Sequence, residues 1–264
     1  MAQFRNVGFT FDGINAEDLG YYIVSLDSKN SSVLGTNRTI KEEDTNNFAK
    51  SFQGVKYNDF TFEITITKAK KNKTLPITEE DIFFLNNWLM KPEDYRIFIS
   101  HQNRDILYYA LFTEMSDVRF AQRTGYVTLK MRLSSGCSYS TVAHHQYTME
   151  HYKTIEIYNK SNVGEYIYPD VNFITRHTSG TAKVKIENQT LGEVMEFTSL
   201  PSGIEVMCYN EGLKQVVCVS DETINLRPNF NKKWLRLAYG RNVIKVTGNC
   251  TIDIFFQNKI AIQN

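Results

Sequence analysis

The residue types that perform chemistry are present in this chain, but their spacing matches no catalytic motif. The sequence contains no G-x-x-x-x-G-K-[ST], G-x-G-x-x-G, G-x-S-x-G or H-E-x-x-H pattern. Glu63 is the one acid in the middle of a strongly patterned strand, where a carboxylate can serve as a general base. It shares its face with Thr61 and Thr65, which is typical of a solvated polar face. We therefore expect no enzymatic activity and no cofactor.

Histidines and cysteines offer two further kinds of site. His144, His145 and His151 lie close together, but no other ligand type is spaced to complete a metal site, so no metal is expected. The four cysteines contain no C-x-x-C pair: Cys137, Cys208, Cys218 and Cys250. Cys208 and Cys218 lie in runs predicted to pair across a hairpin, where a disulfide is geometrically conceivable. The amino terminus lacks the apolar core of a signal peptide, so reduced thiols are the simpler interpretation.

Trp234, Arg236 and Tyr239 are the residues best suited to contact a sugar. An aromatic ring with planar hydrogen-bond donors beside it is the usual arrangement for glycan binding. A tryptophan in a β-sandwich is more often part of the core. A core role and a glycan contact therefore both stay open.

The elements that position these residues are clearest in residues 57–133. Residues 59–67 alternate strictly, with Phe60, Phe62, Ile64 and Ile66 on one face and Asp59, Thr61, Glu63, Thr65 and Thr67 on the other. Thr78 is the predicted N-cap of a helix that ends before Lys91 and Pro92. Three more strands are predicted, at 95–100, 106–115 and 126–133. This order predicts an antiparallel, tube-like sheet that carries one covering helix.

One side chain of this helix does not fit a self-contained monomer. The predicted buried stripe consists of Ile82, Phe84, Leu85, Trp88 and Leu89. Phe83 instead lies on the face otherwise formed by Asn86 and Asn87. It is either a lone exposed aromatic, which needs no explanation, or a contact with another subunit.

Length and composition predict two domains and exclude several partners. The 264 residues carry a net charge of +1, so composition favours neither nucleic-acid nor anionic-membrane binding. No apolar run approaches the roughly 18 residues that cross a bilayer, so membrane insertion is not expected. The predicted organisation is a domain at 1–138, a linker at 139–160 and an all-β sandwich at 161–264. The fold class is mainly β, with an α+β first domain.

Residues 25–56 form a polar arm within the first domain. The segment is rich in Ser, Asn and Thr, and its charges cluster at residues 41–44. A predicted irregular segment of this length is either functional or disordered. Its charge run is either simply solvated, or belongs to an arm that becomes ordered against a neighbouring subunit.

Several short motifs, in order, resemble the siphophage distal tail protein family. The stretch Phe9-Thr-Phe-Asp-Gly-Ile-Asn-Ala-Glu-Asp-Leu-Gly20 is similar to that family's F-x-F-[ND]-G-x-x-[SA]-x-D-[FL]-G opening. The strand at 59–67, the helix start at 78–82 and the strand at 125–133 also resemble it. Near the end, Leu237-Ala-Tyr-Gly-Arg-Asn-Val-Ile-Lys-Val-Thr-Gly248 is similar to the family's L-x-x-G-x-N-x-I stretch. The order and spacing of the motifs carry the match.

The resemblance implies an architectural role in the virion. Family members form a homohexameric ring around the DNA channel at the tip of a long non-contractile tail, and they are assembled in the host cytoplasm. The ring joins the tail tube protein to the tail-associated hub or fibre protein and is a platform for host-attachment proteins. The tape measure protein and receptor-binding proteins are further partner candidates. The second domain is expected to be galectin-like.

The residue patterns are compatible with such a ring. The expected channel or ring-interface residues are Asp59, Thr61, Glu63, Thr65, Thr67 and Phe83. A mildly acidic, hydroxyl-rich lumen lets DNA pass without specific binding. The alternative function is a carbohydrate-binding adhesin that contacts the host cell surface through Trp234, Arg236 and Tyr239. A third class, a wall hydrolase, is disfavoured by the missing catalytic constellation.

Overall fold

The computed structural model describes residues 7–25, 38–44, 50–57, 61–71, 73–116, 119–121, 124–176, 180–210 and 212–261. The chain divides into two compact units, the first formed by Met1–Tyr139 with Ala261–Asn264 and the second by Ser140–Ile260. Most described residues lie in antiparallel strands, and the mainly β fold class is confirmed.

The first unit contains a curled antiparallel sheet. Its strands in chain order are β1 (Phe9–Phe11), β2 (Ile14–Asn15), β3 (Tyr21–Ser25), β4 (Arg38–Asp44), β5 (Lys50–Tyr57), β6 (Thr61–Lys70), β7 (Lys73–Leu75), β8 (Arg96–Ser100), β9 (Ile106–Met115), β10 (Arg119–Ala121), β11 (Thr124–Leu133) and β12 (Cys137–Ser140). The main path runs β2-β1-β8-β9-β11-β6-β3. Val7, which precedes β1, bridges Ile23 of β3. The two ends of the path therefore approach each other.

The alternation predicted for β6 is confirmed on its apolar face. Ile64 lies opposite Leu129 and Ile66 lies opposite Val127 of β11, and all four side chains are buried. Cross-strand apolar pairs of this kind stabilise a sheet and specify its register. Phe60 lies outside the described residues.

The predicted covering helix is also confirmed. Helix α1 (Glu79–Leu85) begins at Thr78, whose hydroxyl accepts a hydrogen bond from the backbone of Asp81 in a capping box. A π-helical turn (Asn86–Met90) continues it. Leu85, Trp88 and Leu89 are buried in the core of the first unit.

The polar arm contains regular structure that the sequence did not predict. β4 and β5 form an antiparallel hairpin, with Thr39 opposite Lys56 and Glu43 opposite Ser51. Among the described strands they pair only with each other. The alternation was hidden because charged residues occupy most of β4, which resembles a solvated loop in composition.

The second unit is a β-sandwich. Its strands are β13 (Ala143–Met149), β14 (Tyr152–Asn159), β15 (Asp170–Thr175), β16 (Ala182–Asn188), β17 (Glu193–Leu200), β18 (Glu205–Tyr209), β19 (Gln215–Cys218), β20 (Gly240–Thr247) and β21 (Cys250–Phe256); β22 (Lys259–Ala261) follows them at the end of the chain. One sheet has the order β13-β21-β15-β18-β19 and the other β14-β20-β16-β17. Their inner faces share one apolar core.

The predicted linker at 139–160 is instead part of the sandwich. β13 pairs along its whole length with β21, and β14 pairs along its whole length with β20. In β13 the inward positions are Ala143, His145, Tyr147 and Met149, a pattern without branched aliphatics. This composition concealed the alternation.

The strand predicted at 234–238 does not form either. Buried asparagines bind the backbone of this segment: Asn159 Nδ2 donates to Leu237 O at 3.2 Å and Asn188 Nδ2 donates to Arg236 O at 2.8 Å. Asn242 accepts from Ala238 N at 2.9 Å. Side-chain amides therefore replace most of the ladder that a neighbouring strand would supply. In the described part of the chain, no helix has the length and apolar character needed to cross a membrane.

Candidate functional site

The face of β6 turned away from the core is the first candidate surface. Thr61 and Glu63 are exposed and Thr65 is half-buried. Across the pair, Thr65 Oγ1 lies 3.3 Å from the hydroxyl of Thr128, and Lys130 lies opposite Glu63. The surface combines hydroxyl groups with charges of both signs.

Lys130 changes the predicted character of this surface. Its ammonium group donates to Glu114 Oε1 at 2.9 Å, and this hydrogen bond raises the pKa of Lys130. Arg132 adds a second exposed cation, opposite Thr61. Two cations therefore accompany Glu63 and Glu114, so the face is nearly neutral rather than mildly acidic.

Thr67 was expected on this exposed face, and that prediction is wrong. Its side chain is 0% exposed, and its hydroxyl donates to Gly125 O at 2.9 Å. Tyr22 and Tyr126 flank it in register on the adjoining strands. Large neighbours therefore bury a position whose residue type suggested a solvated face. Asp59 lies outside the described residues.

A groove of about 550 Å³ adjoins this polar face. It is lined by Glu63, Asn86, Met90, Thr113, Glu114, Met115, Ser116, Thr128 and Lys130. The described residues contain no His, Cys, Asp or Glu cluster that could hold a metal ion. The chemistry on offer is hydration and weak ionic contact.

A buried carboxylate holds helix α1 against the sheet. Asp81 accepts from Tyr21 Oη at 2.8 Å and from Lys68 Nζ at 2.6 Å, and Thr78 donates to it through both its backbone N–H and its hydroxyl. Partial burial alone would raise the pKa of Asp81, but the hydrogen bonds from Lys68, Thr78 and Tyr21 outweigh it and lower the pKa to about 2. Burial, and then the bond to Asp81, raise the pKa of Tyr21. This cluster fixes which helix faces remain outside.

Beside the helix lies an apolar groove that the sequence did not predict. We call it the helix groove; it has a volume of about 450 Å³ and is lined by Asp12, Ile14, Phe84, Asn87, Trp88, Lys91, Pro92 and Arg96. Ile14 is 43% exposed and Phe84 is 39% exposed. Phe83, on the neighbouring helix face, is 72% exposed. Its exposure was expected, and its role as a contact stays a prediction.

The hairpin of β4 and β5, hereafter the arm hairpin, is a second apolar surface. Ile40 and Glu42 alternate onto one face, and Phe52 lies opposite Glu42 on that same face. Ile40 is 57% and Phe52 is 66% exposed. The other face is polar, where Gln53 Nε2 donates to Glu43 Oε2 at 3.2 Å. The hairpin is therefore amphipathic.

The three predicted sugar contacts each have different surroundings. Trp234 is half-buried and packs edge-on against Phe230, with ring centroids 4.9 Å apart. Arg236 Nε donates to Glu193 Oε2 at 2.6 Å. The guanidinium of Arg236 also lies 4.2 Å from the ring centroid of Tyr166. Tyr239 is 75% exposed.

The histidines and cysteines occupy structural positions. His144 Nε2 lies 2.7 Å from Asp253 Oδ1, and the ring of His145 stacks on that of Phe256. Cys208 and Cys218 do lie on paired strands, but their register partners are Val216 and Val206, and both thiols are free. Burial raises the pKa of Cys208, and it raises that of Cys250 to about 11. Both groups are therefore uncharged near neutral pH.

Comparison with family models places both units in the same context. Residues 4–135 match the model described as a phage tail protein N-terminal domain. Residues 137–256 match the model described as a phage tail C-terminal domain. A search of curated protein sequences finds no match.

Solved structures with the same fold come from phage adsorption machinery. The SPP1 Dit protein, described as a paradigm of hub adsorption apparatus in phages that infect Gram-positive bacteria, matches with a TM-score of 0.69 and 11% identity, over 96% of this chain and 99% of that chain. A chain of the phage P2 baseplate in its activated conformation with Ca matches with a TM-score of 0.53 and 9% identity, over 95% of this chain and 98% of that one. At such low identity these similarities concern the fold.

Proposed function

The chain belongs to the phage tail protein family, and from this premise we propose that it forms a hexameric ring around the DNA channel at the tail tip. The observation that carries the proposal is the two-faced sheet of the first unit. One face is buried beneath α1, and the other presents Thr61, Glu63 and Thr65 with hydroxyls and charges of both signs. Such a sheet can line an aqueous passage while it packs a helix on its other side.

The chemistry of the polar face suits the passage of DNA. Affinity for phosphates increases with the number of unpaired Lys and Arg side chains that neutralise them. Lys130 is paired with Glu114, and Glu63 adds a further negative charge beside it. A ring of such faces offers water and hydroxyl groups but little net attraction. DNA therefore passes without specific binding.

Within the tail, the ring joins the tail tube protein to the tail-associated hub or fibre protein. Host-attachment proteins, receptor-binding proteins and the tape measure protein are the remaining partners in this proposal. The role is architectural and not enzymatic. Its support is the family match and the amphipathic sheet of the first unit.

Mass measurement and imaging of the purified protein test the ring. We expect an assembly of about six times 30.6 kDa, and images with a central hole. Binding to double-stranded DNA is expected to be weak and to vanish at moderate salt. A protein that stays a monomer of 30.6 kDa at all concentrations contradicts the proposal.

A carbohydrate-binding adhesin is the second candidate, favoured by the exposure of Tyr239 and Tyr166 near the same strand ends. Tyr239 is 75% and Tyr166 is 41% exposed, and Arg236 lies over the Tyr166 ring. If this surface binds host glycans, Tyr239→Ala abolishes binding to cells while the ring stays intact. Trp234→Phe is the matched control, because Trp234 packs mainly on Phe230. Equal cell binding by wild type and Tyr239→Ala eliminates this candidate.

A further inference from the structure

We infer that the arm hairpin of one copy docks with its apolar face in the helix groove of the next copy. This inference rests on the proposed ring and names the surfaces that close it. The contact is heterologous, since each copy contributes a hairpin to one neighbour and a groove to the other. Repeated around an axis, such contacts generate a closed ring.

The arm hairpin needs a partner for its apolar face. A two-stranded hairpin alone is only marginally stable in water. Here Ile40 and Phe52 lie on one face and are more than half exposed, while the opposite face is satisfied by its own polar contacts, such as Gln53 to Glu43. Burial of a phenylalanine and an isoleucine is the main stabilisation still available to this element.

The helix groove offers a complementary surface. Its floor is apolar, with Ile14, Phe84, Trp88 and Pro92. Trp88 is fixed there, since its Nε1 donates to Phe11 O at 3.3 Å and its ring stacks on Phe9 with centroids 5.8 Å apart. A rigid aromatic floor is typical of a site that receives an apolar anchor from a partner.

The occupant comes from another copy. In this chain the groove is open, with Ile14 and Phe84 exposed, and Ile40 and Phe52 of the same chain are exposed as well. The hairpin therefore does not fill the groove of its own unit. A second copy brings the same hairpin without any change in either surface.

Charge supports this assignment. The groove is bordered by the exposed cations Lys91 and Arg96, of which Arg96 approaches Asp12 only at 4.0 Å. The hairpin carries Glu42 and Glu43 beside its apolar face, and both are exposed. Opposite charges at the edge of an apolar contact guide orientation and exclude wrong pairings.

The test uses one variant for each side of the contact. Phe52→Asp damages the hairpin and leaves the groove intact, whereas Ile14→Asp does the reverse. Each alone is expected to raise the concentration for half assembly by roughly 30-fold or more, as the loss of an interface hot spot does. Leu213→Asp is the matched control, because Leu213 is 71% exposed in the sandwich. It is expected to assemble like wild type.

Mixing the two damaged proteins gives the sharper result. The Ile14→Asp copy still has an intact hairpin and the Phe52→Asp copy an intact groove, so one good contact can form between them. The mixture is expected to yield a dimer of about twice 30.6 kDa that cannot extend into a ring. Phe52→Leu, which keeps the apolar anchor, is expected to restore assembly. Unchanged thermal melting of each variant verifies folding.

The outcomes separate this inference from the ring itself. A wild type that never assembles contradicts the ring. A ring that survives both Asp variants unchanged, or a mixture without a dimer, overturns only the hairpin–groove contact. A disulfide between copies that carry Phe52→Cys and Ile14→Cys, formed within the assembled ring, supports it directly.

Discussion

The two units differ in what they leave on their surfaces. The first exposes large phenylalanine and isoleucine side chains, namely Ile14, Ile40, Phe52, Phe83, Phe84 and Ile97. The second exposes mainly tyrosines, together with scattered aliphatic residues. Several of its tyrosines carry a cation over the ring, such as Lys245 at 5.1 Å from Tyr152 and Arg236 at 4.2 Å from Tyr166.

This difference indicates two ways of being stable. The sandwich encloses its apolar residues between two sheets, and its surface rings have polar partners. The first unit has a good core of its own but retains apolar surfaces on its helix and arm. Because contiguous exposed apolar surface marks interaction sites, the first unit is the one suited to assembly. Four substitutions can break or sharpen this comparison.

The largest expected effect is in the sandwich. Phe197 is fully buried between Phe173 and Phe230, with ring centroids at 5.2 and 4.7 Å. Phe197→Ala is expected to lower the free energy of unfolding of the second unit by about 3–5 kcal/mol. In a Trp88→Phe background, fluorescence of Trp234 reports this transition, since the chain has two tryptophans. Assembly of the folded variant is expected to be normal; loss of assembly would place subunit contacts in the sandwich.

The second effect depends on pH. Asp81→Asn removes the anion that Lys68 and Tyr21 bind, and we expect a loss of about 2 kcal/mol at neutral pH. The folded pKa of about 2 lies below the ordinary 3.8, so this stabilisation is present above pH 4 and disappears as the pH falls from about 4 to about 2. The difference between wild type and variant should shrink over that window.

Urea unfolding monitored by Trp88, in a Trp234→Phe background, measures the Asp81 effect. Glu79→Gln is the control, because Glu79 lies in the same first helical turn but is exposed. It is expected to change stability by less than about 0.5 kcal/mol. A difference between wild type and Asp81→Asn that stays constant down to pH 2 would refute the assigned role of the carboxylate.

A smaller effect separates the two kinds of threonine on β6. Thr67→Val leaves the carbonyl of Gly125 without its hydroxyl donor, and we expect a loss of about 1–2 kcal/mol. Thr61→Val, at an exposed position of the same face, is expected to be neutral within about 0.5 kcal/mol. The same urea measurement compares them. Equal effects would mean that Thr67 is not the buried exception on this face.

The smallest effect on stability belongs to Phe83. Because its ring is 72% exposed, Phe83→Ser is expected to leave the unfolding free energy within about 0.5 kcal/mol of wild type. If the helix face contacts another subunit, the concentration for half assembly rises. Leu213→Ser is the matched change in the sandwich and is expected to alter neither quantity. Analytical ultracentrifugation of both variants measures the assembly.

Patterns of local residue types determined much of this fold. Alternation in β6, the Thr78 cap and the Asp12-Gly13 turn each carry their structural information within a few residues, and all three are confirmed. Asp12 and Gly13 have φ values of 50° and 77°, which a tight hairpin turn requires. The opening motif then continues into the short helix that Gly20 ends, at φ 81°.

Only the tertiary structure decided which positions are buried and which surfaces remain open. Thr67 and Thr65 have the same residue type and the same alternation, yet flanking tyrosines bury one of them. The helix groove unites Ile14 with Trp88 and Pro92, which are distant in sequence. Burial and groove shape depend on which elements pack together, and this is a property of long-range contacts that no local pattern contains.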